Sequence, residues 1–519
     1  METKLIKIDR NNIDTTAIQA AGDVIKSGGL VAFPTETVYG LGADGLNPKA
    51  AMKTYAAKGR PSDNPLIIHI AHMDDLPRIT KSIPATAKKL AKEFWPGPLT
   101  MILEKSELVP LETTGGLETL AVRMPQDPLA LVLIEAAGGY VSAPSANASG
   151  RPSPTEAKHV MEDLTGRIDM VIDGGNATIG LESTIIDLTV SPPIILRPGS
   201  ITVDMITSVI GPVDMNLHGI SGDSEEAPKA PGMKYRHYAP QGVLTIVEGT
   251  LRDEVQAIRQ IAYARTREGV SCGIIASEET YPFYTNGIIK NIGSRENIKT
   301  IARNLYRVLR EFDEEGVEYI YSESFAIQGL GDAIMNRLNK AAGQVRISAK
   351  YILQMQQFRR VVFLGGTDVC RSPMAAELLR NQDLVQHVVI QSKGLVALFP
   401  EPVNPKTETI MKNHGYSIID HTPKAIKVED FHMDTLVLTI DEVTKKRLLS
   451  SFPVAVKYPV YTMQEYTGIN KDIPNPIGKN LEVYGLCYDI IEEMVKVIAE
   501  QLNQNCKPAT SYTESSNVL

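Results

Sequence analysis

Near the start of the chain, apolar residues recur at helical spacing (Ile18, Ala21, Val24 and Ile25) and are closed by Gly28-Gly29. The apolar run Leu30-Val31-Ala32-Phe33 follows and predicts a buried strand. Comparable runs at 65–68, 100–103 and 170–172 continue the alternation, predicting one α/β domain over residues 1–212. Residues 213–241 lose periodicity, gather Gly, Pro and acidic residues, and end in the basic, aromatic PGMKYRHYAP. They predict a linker that orders on contact. A second βα rhythm occupies 242–353, with strands at 243–247, 273–275 and 319–321 and helices at 252–268 and 297–311. Past a polar boundary, Val361-Val362-Phe363-Leu364 opens a third α/β segment over 360–505; the polar tail 506–519 is expected to be disordered.

Length agrees with that partition, since 519 residues at about 150 per domain suggest three units. A net charge of -8 argues against a protein held on nucleic acid by bulk charge, leaving at most weak tRNA contact through a local cleft. Cys272, Cys370, Cys487 and Cys506 are widely spaced with no CxxC, which supports neither a disulfide framework nor structural zinc. No signal-peptide core opens the chain and no apolar run approaches a membrane span, so a cytoplasmic protein without membrane contact is expected.

Candidate chemistry concentrates in the first segment, at strand ends where open α/β sheets bind ligands. The clusters are PTETVYGLG (34–42), KGRPSDNPL (58–66), PGPLT (96–100), VRMP (122–125), SAPSANASGRPSPT (142–155), LESTIID (181–187) and LRPG (196–199). Lys58, Arg60, Arg123 and Arg197 are cations in separate loops that can converge on one anionic ligand. The 142–155 loop offers hydroxyls and backbone N–H groups to phosphate. Three or four charge-assisted hydrogen bonds, each about 1.5–3 kcal/mol, would hold a nucleoside triphosphate; any one cluster alone reads as an ordinary turn.

In this order and spacing the clusters resemble the YrdC-like family of L-threonylcarbamoyladenylate synthases over the first 210 or so residues. PGMKYRHYAP and GLGDAIMNRLNKAA (329–342) resemble the linker and second domain of its longer members. The resemblance implies a YrdC-like twisted mixed-sheet α/β domain followed by a small α/β domain. It implies a nucleotidyltransferase that joins L-threonine, bicarbonate or CO2 and ATP into threonylcarbamoyl-AMP, releasing pyrophosphate, for N6-threonylcarbamoyladenosine in tRNA. A separate transferase complex, a potential partner, completes that modification.

Lys58, Arg60 and Arg197 are thereby expected to act in catalysis. Lys58, Ser62, Thr119, Ser145, Asn147, Ser153 and Arg197 would hold ATP. Thr35, His69, Arg123, Ala143 through its backbone and Ser183 would hold threonine. Tyr235 and Tyr238, with Lys234 and Arg236, are expected to close over the nucleotide as a lid. Mg2+ is expected with ATP, held mainly by phosphate and water, and no metal site of the protein's own. Asp127 stands where the family usually has His and reads as a rim change.

VVFLGGTDVCRSPMAAELL (361–379) resembles the phosphate loop of low-molecular-weight protein tyrosine phosphatases, implying a parallel-sheet α/β domain. With Arg371 as the loop arginine, Gly365 occupies the nucleophile position and Cys370 the family's second, non-nucleophilic cysteine. Asn475-Pro476 stands where the family carries its acidic Asp-Pro. Loss of both groups removes covalent catalysis and leaving-group protonation, so a silent module is expected. Ser372 and Pro373 read as N-cap and first residue of the following helix. The competing readings are an RNA-binding YrdC-like module without synthase activity, and a bifunctional protein with a phosphatase working through Cys370.

Overall fold

The structure, a computed structural model, describes residues 2–215, 228–230, 238–354, 358–385, 387–397 and 401–504. The expectations placed on Lys234, Tyr235 and Arg236, on most of the linker and on the tail therefore lie outside the described residues. Two compact units are present: Met1–Glu248 with Arg265–Ile347, and Gly249–Ala264 with Ser348–Leu519.

An eleven-stranded mixed sheet organises the first unit. Its order is Lys4–Lys7, Met170–Asp173, Val31–Phe33, Gly40–Asp44, Val141–Ser142, Ile67–His69, Thr119–Arg123, Leu99–Glu104, Thr184–Asp187, Ile194–Arg197 and Asp214–Met215. Ile67–His69 runs parallel to Thr119–Arg123, and the register sets His69 beside Arg123. Leu99–Glu104 is antiparallel to Thr119–Arg123 and parallel to Thr184–Asp187. Ile194–Arg197 is antiparallel to Thr184–Asp187. These directions put His69, Arg123, Ser183 and Arg197 at the same end of neighbouring strands.

Helix Thr15–Lys26 forms where the apolar spacing predicts it, with Asp14 accepting from Thr16 N (2.9 Å) and Ala17 N (3.1 Å). Helix Pro48–Lys58 starts at an Asn47 cap and stops at Gly59, whose left-handed φ of 61° suits a residue without Cβ. That stop turns Arg60 away from the helix axis, its N–H donating to Tyr55 O (2.9 Å).

Residues 242–248 and 265–347 add a five-stranded sheet flanked by helices Ile298–Glu314 and Leu330–Ala341. Instead of closing a separate core, these segments share one with the first: Val38 and Leu181 cluster with Leu305, Tyr306, Ile334 and Leu338. Shared apolar burial explains why residues 1–248 and 265–347 form a single compact unit.

The second unit holds a four-stranded parallel sheet, ordered Val389–Gly394, Arg360–Gly365, Thr435–Thr439 and Val460–Thr462. Helix Arg371–Arg380 packs on it beside the long helix Leu481–Gln504. Their shared core includes Phe363, Met374, Leu438, Ile491 and Met494.

Candidate functional site

At these strand ends of the first unit lies a cavity lined by Thr37, Val38, Arg60, Ile67, His69, Arg123, Ala143, Pro144, Ser145, Asn147, Glu182, Ser183, Arg197 and Tyr238. Nine of these were expected from sequence; Thr37, Val38, Ile67, Pro144 and Glu182 were not. Three guanidinium groups converge here from three separate segments.

Two of them keep an edge for a ligand. Arg60 donates through Nε to Asn64 O (3.2 Å) and through Nη2 to Asn64 Oδ1 (2.6 Å) and Pro65 O (3.1 Å). Arg197 donates through Nε to Ser183 O (3.1 Å) and through Nη2 to Ser183 Oγ (3.2 Å). Neither Nη1 has a protein acceptor among the described residues. Burial lowers both guanidinium pKa values, that of Arg60 to about 10, yet both stay cationic at neutral pH.

Arg123 meets the protein at all three nitrogens: Nε donates to Gly97 O (3.2 Å), Nη1 donates to Thr37 Oγ1 (2.9 Å), and Nη2 forms an ion pair with the Glu36 carboxylate (2.6 Å). Arg123, expected to hold threonine, thus already faces a carboxylate belonging to the protein. Thr35, also buried, turns its hydroxyl onto Val38 O (2.6 Å) and Thr37 Oγ1 (2.8 Å), shaping the loop rather than lining the cavity. A charged residue beside a Thr in PTETVYG was the available signal for Glu36.

The 142–155 loop is held from below. Lys58 is buried, and its ammonium donates to the carbonyls of Ser145 and Asn147 (2.5 Å for the latter). Burial, then neighbouring Arg60, pull its pKa well below the usual lysine value. Lys58 therefore shapes the loop and does not line the cavity. Ser145 Oγ donates to Asn147 Oδ1 (2.6 Å), and Asn147 Nδ2 closes the turn onto Ala148 O (2.8 Å) and Arg151 O (2.9 Å). Ala143 donates its N–H to Ile67 O (2.9 Å), so a ligand would meet its carbonyl.

Ser153 is likewise behind the wall, its hydroxyl donating to Glu182 (2.5 Å). Tyr238 lies 5.3 Å from Tyr306, ring to ring, with a left-handed φ of 67° that an aromatic residue keeps only where its surroundings impose it.

Ser62 and Thr119 are outside the lining. Ser62 is exposed on a turn whose neighbour is the 113–117 turn, where Leu66 N meets Thr113 O (3.0 Å). Thr119 opens the strand that Arg123 ends and pairs with Glu104; four residue steps along the strand place it about 13 Å from Arg123. Asp127 is no rim residue. It is buried, caps helix Pro128–Ala136 by accepting from Leu129 N (3.0 Å), and pairs with Arg10 (3.0 Å). The Asp-Pro step ahead of an apolar run was the sequence signal for that cap.

Two histidines are buried as neutral rings. Burial, then Arg123, drives His69 to about 3; burial, then Arg310, does the same to His159. The unfolded chain therefore takes up protons near pH 6.5 that the folded chain refuses until about 3. Their stabilising effect is complete above pH 6.5 and is lost as pH falls toward 3. Each group is expected to cost about 2 kcal/mol of stability at pH 5. Urea midpoints at pH 7.5 and 5.0 check this, and His69→Gln should remove about half of the difference, leaving the His159 share.

In the second unit, strand Arg360–Gly365 ends at the expected loop, and Cys370, not Ser372, occupies the cap position of helix Arg371–Arg380. The helix begins one residue before the expected cap because Ser372 Oγ instead donates to Asp368 Oδ1 (3.1 Å). Asp368, buried at φ 59°, also accepts from Lys424 N (3.1 Å) and contacts His421 Nε2 (3.2 Å). Cys370 is buried, its sulfur accepting from Thr407 Oγ1 (3.0 Å), and burial pushes its thiol up, away from the thiolate. Arg371 pairs with Asp441 (2.9 Å) and donates to Ile473 O (3.1 Å). Asn475 is exposed and accepts from Ile477 N (3.3 Å).

Among the described residues no cluster of three His, Cys, Asp or Glu can hold a metal ion, and no helix is long and apolar enough to cross a membrane.

Three family models match successive stretches of the chain. The telomere recombination (Sua5/YciO/YrdC) family model matches residues 23–199, and that of the threonylcarbamoyl-AMP synthase C-terminal domain matches 201–343. The low molecular weight phosphotyrosine protein phosphatase model matches 360–508. The threonylcarbamoyl-AMP synthase of Pyrococcus abyssi is 49% identical over 336 residues, 64% of this chain and 96% of that one. The Bacillus subtilis enzyme of the same name is 47% identical, over 64% and 95%. The crystal structure of P. abyssi Sua5 complexed with L-threonine has a TM-score of 0.63 at 47% identity, covering 67% of this chain and 99% of that one.

Proposed function

This chain belongs to the threonylcarbamoyl-AMP synthase family, and from that premise we propose that it makes threonylcarbamoyl-AMP from L-threonine, bicarbonate or CO2, and ATP. The observation that carries the reading is the convergence of Arg60, Arg123 and Arg197 with Ser145, Asn147 and Ser183 on one cavity. A relative crystallised with L-threonine supports an amino acid in the same fold.

The chemistry follows from the groups present. The neutral threonine amine adds to CO2 and loses a proton, giving a carbamate. A carbamate oxygen attacks the α-phosphorus as the bond to the β-phosphate bridging oxygen breaks, and that electron pair leaves with pyrophosphate. Arg60 and Arg197, each with a free N–H edge, meet the growing charge on the phosphates in a buried site where a preorganised donor acts strongly. Lys58 keeps the 142–155 loop in shape, and positioning supplies the remainder of the rate.

Magnesium would come with the nucleotide, held by phosphate and water, and would offset phosphate charge. The two carboxylates near the cavity are engaged, Glu36 with Arg123 and Glu182 with Ser153 and Arg337. The second unit reads as phosphatase-like without hydrolysis, because Gly365 has no nucleophile and the Cys370 thiol is buried.

Pyrophosphate release by the full chain tests the proposal. Release is expected to require L-threonine, ATP and bicarbonate together. Salt-sensitive tRNA binding with no threonine-dependent pyrophosphate would favour the RNA-binding reading instead.

A further inference from the structure

Glu182 puts a carboxylate in the wall of a cavity read as binding a triphosphate, next to Ser183, which Arg197 grips. Left alone, that charge would repel phosphate and draw Arg197 toward itself. Its oxygens are instead met by residues from the 242–347 segment. Arg337 Nε donates to Oε2 (3.0 Å) from 155 residues away, and Tyr306 OH lies 3.0 and 2.9 Å from the two oxygens. Arg337 is fully buried, and its Nη1 also donates to Pro198 O (2.6 Å), beside Arg197 in the chain. One guanidinium therefore fixes both the carboxylate and the strand end that carries Arg197.

We propose that Arg337 is a positioning residue for the nucleotide site, neutralising Glu182 so that Arg197 stays available to the phosphates. The inference rests on the nucleotide reading of the cavity. It gives the 242–347 segment a direct part in the synthase site without touching substrate. Burial alone would raise the Glu182 carboxyl, yet Arg337 and then Arg197 hold it below the usual carboxylate value, so it is ionised and needs its partner. Replacing Arg337 removes the counter-charge; replacing Glu182 removes the charge to be countered. A purely structural pair would respond alike to either change, whereas a charge-screening pair responds with opposite sign.

The test is titration of the full chain with α,β-methylene-ATP, whose α–β bridge cannot be cleaved, at fixed ionic strength, with thermal melting of every variant. Arg337→Met is expected to weaken binding about tenfold or more. Glu182→Gln should bind as tightly as the unmodified chain or more so. The double variant Glu182→Gln/Arg337→Met should return to within about threefold of it. That double variant also keeps the test informative if Arg337→Met alone fails to fold, since it leaves no buried unpaired carboxylate. Equal weakening by Glu182→Gln and Arg337→Met, or a double variant no better than Arg337→Met, would overturn the inference. If the unmodified chain binds no analogue, the nucleotide reading falls and takes the inference with it.

Discussion

Arg197→Met is expected to lower kcat/KM for ATP-dependent pyrophosphate release by about 100- to 1,000-fold, as removal of one preorganised charged donor does in other buried sites. Three observations set that size. The guanidinium lines the cavity, is buried, and has an Nη1 edge with no protein acceptor among the described residues. Its two protein bonds both go to Ser183, so the fold loses little when it is replaced. The loss should appear with ATP as the varied substrate, with a much smaller change in the threonine KM. Steady-state kinetics with each substrate varied in turn checks both parts. A variant within about threefold of the unmodified enzyme would remove Arg197 from the site.

The second large effect is a gain. The unmodified chain is expected to hydrolyse phenyl phosphate no faster than buffer, and Gly365→Cys/Asn475→Asp to create measurable hydrolysis. The loop is already built: strand Arg360–Gly365 delivers position 365, helix Arg371–Arg380 starts at the loop arginine, and Asp368 pins the turn through Ser372 and Lys424. A Cβ on Gly365 would meet Ser372 Oγ at 2.7 Å, a hydroxyl at the end of a short side chain that must rotate aside. Gly365→Cys alone should be slower than the double variant by about 100-fold or more, since phenolate is a poor leaving group without an acid. With p-nitrophenyl phosphate, whose leaving group needs no proton, that gap should shrink. Hydrolysis by the unmodified chain, abolished by Cys370→Ser, would contradict the account, because Cys370 sits under Thr407 as a buried thiol.

How much of this was visible in the sequence depends on the range of the forces involved. Helices expected at 252–268 and 297–311 are Leu251–Arg267 and Ile298–Glu314, because amphipathic spacing is a local property that neighbours on the same helix decide. The strand expected at 319–321 continues to Glu323, its last two residues polar yet buried by pairing with Val243–Glu248. Arg60, Arg123 and Arg197 were visible as cations at the ends of buried runs. Their surroundings were not.

Glu36 cancels Arg123 through a tertiary fold of the 34–42 loop, and Lys58 is buried by carbonyls almost ninety residues onward. The Glu182–Arg337 pair joins positions 155 residues apart. No periodicity or spacing reports such pairings, since they are settled only when two cores merge, as the one containing Val38, Leu181 and Tyr306 does. Asp127 is the reverse case: its capping role was local and legible, but its unusual identity drew attention to the rim instead.

The full chain incubated with 13C-bicarbonate, ATP, magnesium and L-threonine, with the nucleotide products weighed by mass spectrometry, puts the assigned chemistry to its most direct test. The account predicts a threonylcarbamoyl adenylate that gains one mass unit from the labelled carbon, formed in step with pyrophosphate. An unlabelled threonyl adenylate, or ADP and phosphate in place of pyrophosphate, would contradict it.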